Sequence, residues 1–304
     1  MSYGSEQGTR GSFGGHGTLR GAMDGTVQSD SAKRELLPET EAWLRQTIQY
    51  GGKPSWYYIK AIDNFIRQLI FDGNWNLFDR LWLFATEQRQ HATISLVNPK
   101  GITATWPTNI TEVNPQFLLW SPIGGYRGNG TGNALSANTY LNTNYNPVTN
   151  GVNFALNNNS WGFNVNDTTA SVTASPFYMG CSDGVSINSW QINGGTVVYA
   201  VINNWNGITG SFTTPYTSIK GFFTSVRQSA PTTIIWVNGA SYAMFSQGST
   251  GVSNANFGIM TDVGILSNFC RQTYTFAFTG SGSINQLKLY NSLKTLSQAL
   301  GFAI

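Results

Sequence analysis

Residues 221–240 read GFFTSVRQSAPTTIIWVNGA. Two β-rich runs, Gly221–Arg227 and Thr232–Val237, flank a short polar break. The second run ends in Val237-Asn238-Gly239-Ala240. Asn-Gly tolerates positive φ at both central positions of a type I′ turn, whose twist matches that of paired strands. The stretch therefore predicts consecutive antiparallel strands, the last leaving through a tight hairpin. The same grammar extends in both directions. From Thr93 onward, short β-rich runs alternate with Asn, Gly, Ser and Pro turns at roughly ten-residue spacing, the mark of a sandwich or barrel. The predicted strands include Phe117–Trp120, Tyr140–Thr143, Phe154–Leu156, Ser160–Val165, Pro176–Gly180, Trp190–Asn193, Thr196–Ile202 and Tyr274–Thr279.

Both flanks of this region read differently. Ile284, Leu287, Tyr290, Leu293, Leu296 and Leu300 form one apolar edge of a C-terminal helix that Ser283 can cap, placed to close one end of the sandwich. Upstream, residues 31–92 predict three helices. Pro38 suits a first turn, with Glu39 and Glu41 at the positive end of the dipole and Trp43, Leu44 and Ile48 on one face. Ser55 caps a second helix carrying Ile59, Ile62, Ile66, Leu69 and Ile70. A third follows the Gly73-Asn74 turn, with Leu77, Leu81, Phe84 and Ala85 inside. The aromatic residues Trp56, Tyr57, Trp75 and Trp82 are expected to pack against the next domain. Residues 1–30 contain eight glycines and few large apolar side chains, among them Tyr3, Phe13, Leu19, Met23 and Val27, which predicts a flexible arm. Its contacts with a partner would come from Arg10, Phe13 and Arg20.

Charged residues make up 10% of the 304-residue chain, against roughly 25% in an average protein. Aromatic residues make up 13%. That balance excludes a solvated disordered protein. Residues 1–99 hold 20 of the 31 charges, so the chain changes character near Pro99. The net charge of +3 is too small and dispersed to suggest a nucleic-acid partner. No apolar run is long enough for a membrane helix, and the N-terminus has no apolar core of a secretory signal, so synthesis in a cytosol is expected. Two cysteines, Cys181 and Cys270, are read as buried free thiols rather than a disulfide framework.

Several stretches resemble a known family. Phe71–Thr86 (FDGNWNLFDRLWLFAT), Ile94–Pro99 (ISLVNP), Gly124–Gly130 (GGYRGNG), Tyr140–Pro147 (YLNTNYNP), Trp236–Gly239 and Phe276–Gly282 (FAFTGSG) occur in order across three quarters of the chain. They resemble the concanavalin A-like (laminin-G-like) jelly-roll domains of tailed-bacteriophage virion proteins. The resemblance implies a mainly β fold: an antiparallel two-sheet jelly-roll sandwich over 93–304, preceded by a helical subdomain and the Gly-rich arm. It implies a particle-anchored head fibre or decoration protein, located in the virion, with capsid or tail proteins as partners and trimers favoured. The alternative is a tail-associated receptor-binding lectin.

A glycan-degrading enzyme is the third reading. Retaining glycosidases need two carboxylates about 5 Å apart. The β region has only Glu112, Asp167, Asp183 and Asp262, all well separated, and lacks the Glu-x-Asp-x-x-Glu pattern. His16 and His91 are read as solvated or structural. No catalytic residue, metal or cofactor is therefore assigned. Asn164–Asp167 and Ser182–Gly184 each offer one acid beside amides or hydroxyls, for which an Asx turn is the simpler reading. Sugars are held by aromatic faces plus amide and hydroxyl bonds. On that basis Trp161, Trp190, Asn204, Trp205 and Asn206 are the expected contacts for a host-surface glycan.

Overall fold

A computed structural model describes residues 35–97, 110–115, 118–122, 124–127, 139–166, 177–193, 197–201, 211–213, 220–246, 248–264, 269–270 and 272–304. The arm residues Arg10, Phe13 and Arg20, and the loop residues Asn204, Trp205 and Asn206, lie outside these ranges.

The chain opens with α1 (Pro38–Gln49) and α2 (Trp56–Phe71), then a 3-10 turn at Trp75–Leu77. There follow β1 (Phe78–Leu83), α3 (Arg89–Ala92), β2 (Thr111–Val113), β3 (Leu119–Ser121), β4 (Gly125–Arg127), β5 (Tyr140–Asn142) and α4 (Pro147–Asn150). Next come β6 (Asn159–Val165), β7 (Phe177–Ser182), β8 (Ile187–Asn193), β9 (Val197–Val201), β10 (Ser211–Thr213) and β11 (Gly221–Arg227). The last elements are β12 (Thr232–Val237), β13 (Ala240–Ser246), β14 (Gly258–Ile259), β15 (Thr273–Gly280) and α5 (Gln286–Leu300).

Among the described residues the strands form two antiparallel sheets. One runs β13-β12-β11-β6-β15-β4-β3, with β1 also paired to β15. The other runs β10-β9-β8-β7-β14-β5-β2. The hairpin that anchors the sequence reading is present. Asn238 and Gly239 both have positive φ, at 50° and 77°, and Val237 pairs with Ala240.

Period-2 alternation sorts the first sheet's side chains between two cores. Trp161, Phe163, Val165, Phe223 and Ile235 face the second sheet, where they meet Tyr178, Met179 and Trp190. Phe222, Phe276 and Phe278 face the other way, onto Ile62, Ile66, Leu69, Leu289 and Leu293 of the helices. The architecture is thus a sheet sandwich with a helical layer on the outer face of one sheet. Irregularities in pairing keep this sorting consistent. A shift between Tyr274 and Phe276 lets Tyr274 and Ala277 point inward while Phe276 and Phe278 point out.

Four sequence expectations need correction. The third helix is the strand β1. All six residues Phe78–Leu83 are buried. Leu81, Trp82, Leu83 and Phe84 form a continuous apolar run that supplies both cores, which strand geometry satisfies and a one-faced helix does not. Phe154–Leu156 is a turn with one isolated bridge, Ala155 to Asn158, because the Phe154 N–H is committed to a side chain rather than a ladder. The C-terminal helix lies on the sheet's outer face rather than at an end of the sandwich. Asn285, not Ser283, caps it by accepting from the Lys288 N–H at 3.0 Å, and Leu287 is exposed. Trp56 and Tyr57 are exposed too, while Trp75 and Trp82 are buried. The Ser55 cap is present. So is Pro38 at the first turn of α1, although Ile48 points to solvent.

Candidate functional site

Two of the three aromatic residues expected to hold a sugar, Trp161 and Trp190, do not reach the surface. Trp161 and Trp190 are each 0% exposed. Trp190 packs against Phe163 and Phe223 and donates its indole N–H to Ser225 Oγ. Trp161 packs on Phe257. Both sit on inward-facing strand positions, where large apolar area is worth more inside the core than at the rim. They are core residues, which corrects the sequence-based assignment.

A cleft elsewhere combines an apolar floor with polar side chains at its rim, and its construction begins at Asp79. The β1–β15 register shifts between Phe78 and Arg80, which places Asp79 in a bulge. Its side chain is 0% exposed. The carboxylate accepts bonds from the Tyr145 hydroxyl (2.7 Å) and from the backbone N–H groups of Val152 (3.1 Å), Asn153 (2.8 Å) and Phe154 (3.0 Å). A buried carboxylate persists only when its lone pairs are satisfied in this way. The result pins the 152–154 loop against the start of β1. Asn153 completes the link by donating to the carbonyls of Asn76 (3.0 Å) and Phe78 (3.1 Å).

The facing wall is set by a second buried carboxylate. Asp63 of α2 accepts from the Leu37 N–H (2.8 Å) and Thr40 Oγ1 (2.8 Å), and pairs with Arg67 at 2.7 Å. Burial pushes its pKa up, but these bonds outweigh burial and hold it below the usual carboxylate value. The first turn of α1 is thereby fixed.

Between the two walls lies a cleft of about 370 Å³. Trp43 and Trp75 line its interior with Leu96 and Val97, and Glu39, Gln46, Asn76 and Asn153 bring polar groups to it. Glu39, Gln46 and Asn153 are half-buried and Asn76 is exposed. The Trp43 indole nitrogen is buried without a hydrogen-bond partner. Trp43 is 2% and Trp75 9% exposed, so they form the floor of the cleft rather than free ring faces, and the lining suits a small polar molecule that lays an apolar edge on that floor. Sequence reasoning missed this cleft because its parts lie far apart in the chain and Trp43 and Trp75 read as helix packing. The available signal was the density of Asn around 144–159, part of which proves to serve loop architecture.

The remaining chemistry-bearing residues have structural partners. Glu112 forms a bidentate pair with Arg89 and accepts from the buried Tyr126 hydroxyl. Asp183 accepts from the N–H groups of Val185 (2.9 Å) and Ser186 (2.8 Å), an Asx turn, and from Asn254 (2.7 Å). Asp262 is buried and accepts from the Gly264 N–H. Asp167 lies outside the described residues. Among the described residues no group of three or more His, Cys, Asp and Glu side chains could hold a metal. Cys181 and Cys270 are buried free thiols, and burial pushes the Cys181 pKa well up. His91 is buried against Trp43 and Tyr58, and burial pushes its pKa down to about 4.

No family model and no curated protein matches this chain. Solved structures do match it in fold. The receptor-binding domain of botulinum neurotoxin D aligns at 11% identity with a TM-score of 0.49, over 72% of this chain and 53% of that one. A Trypanosoma rangeli sialidase mutant displaying trans-sialidase activity aligns at 12% identity with a TM-score of 0.45, over 81% of this chain and 40% of that one. The CBM40 of a Ruminococcus gnavus sialidase, bound to α2,3-sialyllactose, aligns at 10% identity with a TM-score of 0.33, over 41% of this chain and 76% of that one. The chain spans about half the length of the toxin domains it matches. The likeness is one of sheet-sandwich architecture.

Proposed function

We propose that this chain is a non-catalytic glycan-recognition protein of a virus particle, and that the Trp43–Trp75 cleft is its sugar site. The cleft carries the recognition half of this reading: four polar side chains stand around an apolar floor that includes Trp43 and Trp75, in a space of about 370 Å³. The roles found for Glu112, Asp183 and Asp262 favour binding over hydrolysis, because each carboxylate is engaged in holding the fold.

The particle half rests on the sequence resemblance. In this reading the protein is of the head-fibre or decoration type, attached through its N-terminal arm, with trimers favoured. A tail-associated lectin is the alternative position.

Two measurements test the two halves separately. Titration of the full chain with oligosaccharides should give saturable binding, weakened at least about tenfold by Gln46→Ala or Asn76→Ala, neither of which removes a core side chain. Binding that ignores both changes would remove the cleft. Quantitative mass spectrometry of purified particles should find copies in a multiple set by capsid symmetry. Absence from the particles would remove the virion role.

A further inference from the structure

We infer that the cleft selects uncharged sugars and rejects acidic ones, an inference that rests on the sugar-site reading above. Among the described residues Glu39 is the one charged side chain lining it, and no Lys or Arg does so. Glu39 stands in the first turn of α1, so the end of the helix that would otherwise attract an anion is already occupied by a carboxylate. A second carboxylate, Asp79, is buried next to the Phe78 and Asn153 that line the cleft, with its hydrogen bonds spent on the loop. The nearby cation on α1, Arg45, is directed to Glu41 at 3.7 Å rather than lining the cleft.

The carboxylate of a sialic or uronic acid entering this space would lose water, meet the like charge of Glu39 and find no cation to pair with among the described residues. Each of these opposes binding in a partly desolvated site. The hydroxyls and N-acetyl groups of neutral sugars make no such demand. Gln46 and Asn76 supply amide groups for them, Asn153 supplies its amide oxygen, and the buried Trp75, Leu96 and Val97 supply an apolar floor.

The test is binding of the full-length chain to an array carrying maltose-, cellobiose-, chitobiose- and lactosamine-series oligosaccharides beside sialyllactose- and hyaluronate-series ones. The expected result is binding to one or more neutral series, with acidic series weaker by at least about tenfold. Glu39→Gln should narrow that gap several-fold. Two other results overturn the inference and differ in what else they remove. Equal or tighter binding of an acidic series that is weakened by Asn76→Ala leaves the site standing and removes its charge selectivity. Binding that is insensitive to Asn76→Ala and Gln46→Ala, or no binding to any series, removes the site and the selectivity together.

Discussion

The Asp79 carboxylate accepts a 2.7 Å hydrogen bond from the Tyr145 hydroxyl, with both side chains fully buried. Asp79 comes from a bulge in β1, and Tyr145 lies just before α4. The contact joins segments 66 positions apart and sets the wall of the cleft. Burial, the Asp79 charge and this bond all push the Tyr145 hydroxyl pKa well above its ordinary value. It therefore stays a donor throughout the accessible pH range.

Removing either member should cost stability. Tyr145→Phe deletes one donor to a buried charge and should cost roughly 1–3 kcal/mol. Asp79→Ala leaves the Val152, Asn153 and Phe154 N–H groups without their acceptor, and should cost more, about 3–5 kcal/mol. Urea unfolding monitored by fluorescence measures both. The loop change should also weaken sugar binding in any fraction that folds.

Trp161 and Trp190 provide a contrast. Truncating either to Ala opens a cavity between the sheets and should cost about 3–5 kcal/mol. The variants should lose midpoint stability in urea. Under conditions where they remain folded, sugar affinity should stay near that of the parent chain. A selective loss of binding at unchanged stability would contradict the core assignment.

The buried face of α5 can be checked by a pair of substitutions. Leu293 is 1% exposed and Leu287 is 52% exposed. Leu293→Ala should cost roughly 2–5 kcal/mol. Leu287→Ala should stay within about 0.5 kcal/mol of the parent. Equal costs would contradict the seating of this helix on Phe222 and Phe276.

Acid should weaken the fold through His91. Neither ring nitrogen has a hydrogen-bond partner, and burial depresses the pKa from 6.5 to about 4 against the opposing pull of Glu87. The unfolded chain takes up its proton near pH 6.5, whereas the folded chain resists until about pH 4. Stability is therefore full above pH 6.5 and falls between 6.5 and 4, by roughly 3 kcal/mol. Below that window Asp63 adds a further loss, since its bonds to Leu37, Thr40 and Arg67 hold its pKa low. His91→Leu should flatten the 6.5–4 segment of a stability-versus-pH curve and leave the more acidic segment in place.

The sandwich was legible because its signals are local. Asn238-Gly239 fixes a hairpin, and β11 and β12 occupy the residue ranges read from the pattern. The strand β1 was not legible as a strand. Leu77, Leu81, Phe84 and Ala85 satisfy helical spacing, and the preference for a strand comes from pairing with β15, nearly 200 positions away. The cleft was hidden for the same reason. Glu39, Trp75 and Asn153 converge only after Asp63 and Asp79 have folded their loops. Trp161 and Trp190 were misplaced because composition marks aromatic residues without saying which side of a strand they occupy.

The most direct measurement is calorimetric titration of the full chain with the best-binding neutral oligosaccharide, beside Gln46→Ala and Asn76→Ala. Saturable binding that both substitutions weaken at least about tenfold, with unfolding midpoints unchanged, is the predicted result. Undiminished binding by both variants, or none by the parent chain, would contradict the account.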